Sequence, residues 1–267
     1  MQKFALIAAA TVLALATPAL AKSDKSRVVK KALVQSVRVE VAQGGKVMSV
    51  ASGVVVAGDE TTSYVLTNAH VVAPAEGKGG RLTVIIERPT RMRLAARLVA
   101  TGKVPEEDLA LLVIEKKLPV APLANDDEVS VGDDIVVIGA PYGRALSVSS
   151  GIVSQLETSE AGGQTGMKTD APIGYGASGG GVFDVPSGRL VGLVEGYRTA
   201  RVAFTGAASE ELGFDVPMPG ETFLAPPTKI RNFLRKAGLS RMARLDPEHA
   251  PLAQKSSALK ATARAEP

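Results

Sequence analysis

One serine stands inside a run of glycines at residues 174–181, which read GYGASGGG, between two segments with the composition of β-strands. A phosphate-binding loop would require a lysine and a serine or threonine directly after the glycines and then a helix, whereas Val182 and Phe183 follow here. A glycine turn around a serine also suits acyl transfer, because the backbone N–H groups of Gly176 and Ser178 can converge on one developing oxyanion. Ser178 is therefore the candidate nucleophile.

A serine needs a neighbouring base to become nucleophilic, and the 267-residue chain contains only two histidines and no cysteine. His70 follows an apolar, strand-like segment, whereas His249 lies in a stretch rich in Ala, Lys, Ser and Pro without periodicity. An imidazole base requires a carboxylate that fixes its tautomer, and Asp108, at the start of the apolar segment 109–112, is the candidate. A histidine at a strand end or an aspartate at a strand start is, alone, more often structural. With Ser178, however, they complete a set that can catalyse acyl transfer.

The composition excludes several other kinds of chemistry. Without cysteine, the chain has no disulfides, thiolate zinc sites, iron–sulfur clusters or cysteine nucleophiles, and we expect neither a metal nor another cofactor. The 31 Lys and Arg against 27 Asp and Glu leave a net charge of +4, and the four Tyr and six Phe do not alternate with basic residues as a base-stacking surface would require. We therefore expect no nucleic acid among the partners.

Between its two ends, the sequence has the pattern of an all-β protein. Leu33, Val37, Val39 and Val41 alternate with polar residues, which is the period of a half-buried strand. Strand-like runs separated by Gly, Pro, Asp or Asn follow at residues 54–56, 64–66, 82–86, 94–100, 109–114, 135–139, 148–153, 182–183, 190–194 and 214–216. This spacing predicts a sandwich or barrel. Because about a dozen strands are too many for one small barrel, we predict two packed β units that divide near residues 119–127.

A helix is predicted only near the C-terminus. We find no helix-length periodic segment before residue 228, which argues against a parallel α/β sheet. Beyond it, Ile230, Phe233 and Leu234 recur at helical spacing, and Gly238 stands where a helix C-cap is expected. Residues 228–237 are therefore predicted to form an amphipathic helix packed on the domain.

The two ends of the chain are predicted to lie outside the fold. Lys3, the apolar residues 4–16 and the small-x-small site at residues 19–21 are typical of a signal peptide. Residues 1–21 are thus predicted to be removed from an exported, periplasmic or secreted protein. The apolar run of about 13 residues is shorter than a membrane-spanning helix of roughly 20, so we expect no stable membrane insertion after cleavage. Residues 241–267 are predicted to be a disordered tail.

Several segments, in this order, resemble the trypsin-like serine proteases of the chymotrypsin fold, and among these the bacterial HtrA/Deg-type proteases. The resemblance covers residues 45–240, and the chain departs from the family pattern at Ala177, where Asn is usual, and at Gly181, where Pro is usual. The segments are SGVV at 52–55, LTNAHVV at 66–72, DLALL at 108–112, VGD at 131–133, IGAPYG at 138–143, GIVS at 151–154, TDA at 169–171, GASGG at 176–180 and LGFDVP at 212–217.

The resemblance implies two six-stranded antiparallel β-barrels packed face to face, followed by the C-terminal helix, in a protease domain at residues 22–240. His70 would be the base and later the acid, Asp108 would orient it, and the N–H groups of Gly176 and Ser178 would form the oxyanion hole. The substrate-binding residues that it implies are Pro172 at the base of the primary pocket and Leu193, Val194, Glu195 and Gly196 on a strand that pairs with an extended peptide. Because no acidic residue stands at the pocket base, we expect cleavage after a small or medium apolar residue.

The expected function is that of an exported serine endopeptidase that cleaves polypeptides, unfolded or extended segments in particular, through an acyl-enzyme. The chain ends about 30 residues after the predicted helix, so we expect no PDZ module of the kind typical of HtrA proteins. One alternative is a pseudoprotease, a non-catalytic protein of the same fold that binds peptides. The other is a serine esterase, although the order His, Asp, Ser and the β-type sequence after Ser178 differ from those of α/β-hydrolases.

Overall fold

The computed structural model describes residues 24–75, 79–160, 163–205 and 211–243. The predicted signal peptide, most of the predicted tail and His249 lie outside these residues. Within the described ranges, no helix combines the length and the apolar character that a membrane span requires.

The N-terminal half folds into one closed antiparallel barrel of six strands in the order β1-β2-β3-β6-β5-β4. Its elements are α1 (Asp24–Gln35), β1 (Ser36–Gln43), β2 (Lys46–Gly58), β3 (Ser63–Thr67), α2 (Ala69–Val72), β4 (Gly80–Ile86), β5 (Met92–Thr101) and β6 (Ala110–Ile114). The alternating Val37, Val39 and Val41 of β1 are buried in the barrel core, as the period-2 pattern predicts. Residues 115–133 then lead to the second barrel.

The second half repeats this architecture with six more strands in the order β10-β11-β12-β9-β8-β7. Its elements are β7 (Asp134–Gly139), β8 (Ser147–Thr158), β9 (Gln164–Thr169), β10 (Gly181–Asp184), β11 (Leu190–Thr205), β12 (Glu211–Ala225) and α3 (Pro227–Lys236). The predicted fold of two closed six-stranded antiparallel barrels with a C-terminal helix is thus confirmed.

The helix α1 contradicts the expectation that no helix precedes residue 228. Leu33, which the sequence analysis assigned to the first strand, lies in α1, and the strand begins only at Ser36. Val28 and Ala32, four residues apart, share one helix face and are buried in the cluster that both barrels contribute to. This i, i+4 spacing is a helix signal in the sequence. The strand alternation begins only at Val37, and Leu33 matches it by coincidence.

The barrels share an apolar core at their interface, in addition to one core inside each barrel. Leu66 and Leu109 of the first half pack in the same cluster as Ile138 and Phe183 of the second. The helix α3 adds Ile230, Phe233 and Leu234 to this cluster, and Gly238 follows it with a left-handed φ of 76°, as predicted. The two halves are therefore held together by buried apolar surface at their interface.

Candidate active site

His70 and Asp108 are brought together by the pairing of β3 with β6. Thr67, at the end of β3, pairs with Ala110, at the start of β6, so the residues just outside these strands lie side by side. Asp108 accepts two hydrogen bonds from His70, one from ring Nδ1 to Oδ2 at 2.6 Å and one from the backbone N–H to Oδ1 at 2.9 Å. Two bonds to one carboxylate fix both the position and the tautomer of the imidazole.

The buried carboxylate of Asp108 remains ionised because of these bonds. Burial raises its pKa, but the hydrogen bonds from the His70 ring and backbone more than offset burial and leave the pKa below its usual value. With Nδ1–H donated to Asp108, the basic nitrogen of His70 is Nε2. The His70 side chain is 42% exposed, so the ring is not enclosed by the protein.

Asn68 is a supporting residue that the sequence analysis did not assign. Its fully buried side-chain amide donates to the backbone carbonyl of Asp108 at 2.8 Å. A buried polar side chain is costly unless it is hydrogen-bonded. An asparagine at the end of an apolar strand-like segment, two residues before the candidate histidine, therefore indicates that its amide has a partner nearby. The bond fixes the backbone that carries the Asp108 carboxylate.

Ser178 lies on a tight turn between β9 and β10, which two glycines with positive φ make possible. Gly176 has a φ of 90° and Gly179 a φ of 78°. A Cβ at Gly179 would lie only 2.2 Å from the carbonyl oxygen of Ser52 in β2, so the close approach of the turn to the first barrel requires glycine. The Ser52 N–H donates to the Ser178 carbonyl at 2.8 Å.

Ser52 also links the serine turn to the histidine. Its carbonyl oxygen accepts a 2.8 Å hydrogen bond from Thr67 Oγ1, three residues before His70. Ser52 thus bonds both to Ser178 and to Thr67, the last residue of β3. Among the described residues, the N–H groups of Gly176 and Ser178, which were predicted to form an oxyanion hole, donate to no backbone acceptor.

The strand proposed to bind substrate has an open edge next to the serine turn. Val194 exchanges two 2.9 Å backbone bonds with Gly179 and Gly180, and β10 ends its pairing opposite Leu193. Beyond Val194, β11 pairs only with β12 among the described strands, across a bulge at Glu195. An extended peptide could add to this edge.

The other residues predicted to bind substrate have different environments. The side chains of Leu193 and Val194 are fully buried in the cores. The N–H and the carbonyl of Val194 are bonded to Gly180 and Gly179, and Leu193 is paired with both β10 and β12, so a peptide would have to pair with β11 beyond Val194. Pro172 is exposed, and Gly196 has open space around its Cα. Of these residues, Pro172 and Gly196 are therefore the ones that are open to a bound peptide.

Glu195 is the one charged side chain of this strand segment beside the cleft. Its Oε1 lies 2.5 Å from Nζ of Lys229 in α3, and both side chains are about four-fifths buried. Burial raises the Glu195 pKa, the Lys229 charge partly offsets this, and the charge of Asp108 raises it further. The charges of Asp108 and His70 thus act on the pKa of Glu195 in opposite directions.

Three of the four tyrosines form a cluster around the serine turn that the sequence analysis did not predict. The Tyr175 ring lies between Tyr142, at 6.5 Å between centroids, and Tyr197 of β11, at 5.8 Å in an edge-to-face contact. Burial and the neighbouring tyrosines raise the pKa of Tyr197 to about 12. The contact of Tyr175 with Tyr197 thus joins the serine turn to β11.

Two closed six-stranded barrels with a His–Asp pair on one side of the cleft and a serine turn on the other define the chymotrypsin-like class. The family model of the trypsin-like peptidase domain matches residues 51–193, more than half of the chain, so this protein belongs to that family. The family predicted from the sequence is thereby confirmed.

Curated relatives place the chain beside the HtrA/Deg-type proteases. It is 36% identical over 181 residues to the periplasmic serine endoprotease DegP of Escherichia coli, covering 66% of this chain and 35% of the relative. It is also 36% identical over 173 residues to a probable periplasmic serine endoprotease, DegP-like, of Ectopseudomonas mendocina, covering 64% and 33%. The chain thus spans about a third of the length of these relatives.

Solved structures agree with this placement. The serine endoprotease from Yersinia pestis superposes with a TM-score of 0.61 at 26% identity, over 80% of this chain and 66% of that one. An HtrA-type protease with a tripeptide superposes with a TM-score of 0.59 at 26% identity, over 81% and 64%.

Proposed function

We propose that this protein is an exported serine endopeptidase of the HtrA type that cleaves polypeptides with Ser178, His70 and Asp108. The double hydrogen bond from His70 to the ionised Asp108 is the observation that carries the proposal, because it prepares an imidazole to act as a general base. The free N–H groups of Gly176 and Ser178 support it further.

In the proposed reaction, Nε2 of His70 takes the proton of Ser178 Oγ as the oxygen attacks the scissile carbonyl. The negative charge of the tetrahedral intermediate is stabilised by the N–H groups of Gly176 and Ser178, and Asp108 stabilises the imidazolium. His70 then gives its proton to the leaving amine, which breaks the peptide bond and leaves an acyl-enzyme. Water, deprotonated by His70, attacks the ester and regenerates Ser178.

The proposed substrates are extended polypeptide segments that bind as an added strand along the open edge of β11. For the residue before the scissile bond, we propose a small or medium apolar side chain. Pro172 brings no negative charge to the pocket base, and the contact of Tyr175 with Tyr197 limits the available width. Efficient cleavage after Lys or Arg in a peptide library would refute this preference.

Export to the periplasm is proposed from two independent supports. The names of the DegP relatives describe periplasmic endoproteases. Residues 1–21 of this chain have the charged, apolar and small-x-small pattern of a signal peptide. Fractionation of cells that express the full chain, followed by N-terminal sequencing of the product, tests both points.

Labelling with a fluorophosphonate probe tests the catalytic proposal. The wild-type protein should become labelled at Ser178, and Ser178→Ala should not. Hydrolysis of casein, compared with hydrolysis of p-nitrophenyl esters, then separates an endopeptidase from an esterase. A folded wild-type protein that binds peptide, but neither reacts with the probe nor cleaves casein, would be the pseudoprotease instead.

A further inference from the structure

Ser52 makes an unusual set of contacts for a serine in the middle of a barrel strand. It is fully buried in β2 of the first barrel, yet all of its side-chain partners belong to the second half of the chain. Its Oγ–H donates to the carbonyl oxygen of Gly176 at 2.7 Å, and the same Oγ accepts the N–H of Ala140 at 2.8 Å. One hydroxyl thus joins the serine turn at residues 174–180 to the turn at residues 140–143.

The two turns also touch directly, through a bond that orients an oxyanion-hole donor. The N–H of Tyr142 donates to the carbonyl oxygen of Tyr175 at 2.5 Å. That carbonyl belongs to the same trans peptide unit as the N–H of Gly176, and in a planar trans peptide the two groups point in opposite directions. The Gly176 N–H is therefore directed away from the turn at 140–143.

The turn at 140–143 adopts a costly backbone conformation to make this contact. Tyr142 has a φ of 55° and is the only non-glycine residue with a positive φ among the described residues. The left-handed conformation is unfavourable for a residue with a Cβ, and it persists only where surrounding contacts hold it. The bond from the buried Ala140 N–H to Ser52 Oγ is such a contact, at the residue where the turn begins.

We propose that Ser52 is a positioning residue for the oxyanion hole. Its hydroxyl holds Ala140 and Gly176 at a fixed separation, and this keeps Tyr142 against Tyr175 and the Gly176 N–H directed at the reacting carbonyl. The proposal rests on the proposed function, since it gives Ser52 a role in the acyl-transfer step. It assigns Ser52 no contact with the substrate.

A positioning role for Ser52 and a purely structural role would affect different measured quantities. A loosened oxyanion hole stabilises the tetrahedral intermediate less, while the open edge of β11, which binds the peptide, is unchanged. Loss of the hydroxyl should therefore lower kcat and leave KM nearly constant. A general loosening of the fold would instead lower the melting temperature without slowing the molecules that remain folded.

The test compares Ser52→Ala and Ser52→Cys with the wild type. Cysteine is somewhat larger than serine and is only a weak hydrogen-bond donor, so it weakens the bonds without leaving a cavity and remains informative if alanine does not fold. Ser63→Ala is the matched control. Ser63 is a fully buried serine of the same barrel whose Oγ accepts the N–H of Leu118 at 2.9 Å, remote from both turns.

The measurements are the second-order rate of fluorophosphonate labelling and the kcat and KM for labelled casein. We expect both Ser52 variants to lose about 10- to 100-fold in labelling rate and kcat, less than the largest losses seen for a deleted oxyanion donor, with KM changed less than about threefold. Ser63→Ala should retain the wild-type rates.

Each other outcome has a definite meaning. If folded Ser52→Cys reacts within about twofold of the wild-type rate, or if Ser63→Ala loses as much activity as the Ser52 variants, the positioning role is wrong. If the wild-type protein itself does not react, the proposed function fails, whatever the variants do.

Discussion

The carboxylate of Glu195 and the ammonium group of Lys229 lie 2.5 Å apart and connect the bulge of β11 to the C-terminal helix α3. The contact joins two residues 34 positions apart, beside the open edge at which a substrate would bind. It thereby makes α3 part of the support of the cleft, in addition to its apolar packing against the core.

Lys229→Met should destabilise the protein in a pH-dependent way. The substitution leaves the buried Glu195 carboxylate without its partner, so we expect the free energy of unfolding at pH 7 to fall by about 1–3 kcal/mol. Burial raises the folded-state pKa of Glu195 above its unfolded value, so the folded protein is relatively most stable with Glu195 protonated. The loss should therefore shrink as the pH falls through the folded pKa.

Urea denaturation of both proteins between pH 8 and pH 4.5 measures this dependence. Lys117→Met is the control, because Lys117 pairs with Glu60 on the surface, where both side chains are mostly exposed. A constant difference between Lys229→Met and wild type across this range would show that Glu195 does not carry the effect.

Asp108→Asn should preserve the fold but lower kcat by about 10³- to 10⁴-fold, the size seen for the corresponding change in a well-studied triad. An amide can donate to Nδ1 and thereby place the proton on the wrong ring nitrogen of His70. Steady-state kinetics on casein, with circular dichroism as a check of folding, measures the effect. Asp108→Asn activity equal to that of the wild type would remove Asp108 from the mechanism.

The same carboxylate should contribute stability that depends on pH in the opposite direction from Glu195. The pKa of Asp108 lies below its usual value, because the bonds from His70 more than offset the effect of burial. Its stabilising contribution is present above the unfolded pKa and is lost as the pH falls through the lower folded pKa. The difference in unfolding free energy between wild type and Asp108→Asn should accordingly decrease below about pH 4.

Gly179→Ala should be far more damaging than Gly220→Ala, although both glycines have a φ near 77°. A Cβ at Gly179 meets Ser52 O at 2.2 Å, whereas a Cβ at Gly220 has nothing within 4 Å. We expect Gly220→Ala to cost about 1 kcal/mol from its backbone conformation alone, and Gly179→Ala to displace Ser178 and abolish labelling by the fluorophosphonate probe. Equal thermal stability of the two variants would contradict the claim that the close approach of the turn to Ser52 requires glycine at position 179.

Tyr197→Ala should broaden the residues accepted before the scissile bond. Removing this ring opens the space between the serine turn and β11, so we expect larger apolar side chains to be cleaved, with a lower KM for peptides that carry them. Mass spectrometry of a digested peptide library provides the profile. Tyr64→Phe is the control, since Tyr64, the remaining tyrosine, lies in β3 and packs against the interface core. Identical profiles would place the primary pocket elsewhere.

Local patterns in the sequence were sufficient to predict much of the fold and to identify the residues that could do chemistry at the site. Strand alternation, as in Val37, Val39 and Val41, and the helix that precedes Gly238 are properties of neighbouring residues, and the structure has both. The scarcity of histidine left His70 as the base to consider. The first helix was missed because Leu33 fits both a helix face and the alternation that begins at Val37.

Only the tertiary structure could decide which distant residues support the site. The hydroxyl of Ser52 meets Gly176 across 124 positions, Glu195 meets Lys229 across 34, and Asn68 meets the Asp108 backbone across 40. Such contacts leave no periodicity in the sequence, because the first depends on how the two barrels pack against each other and the other two on how distant segments meet within one half of the chain. The sequence by itself determined which side chains could do chemistry, and the packing of the barrels decided which groups hold them in place.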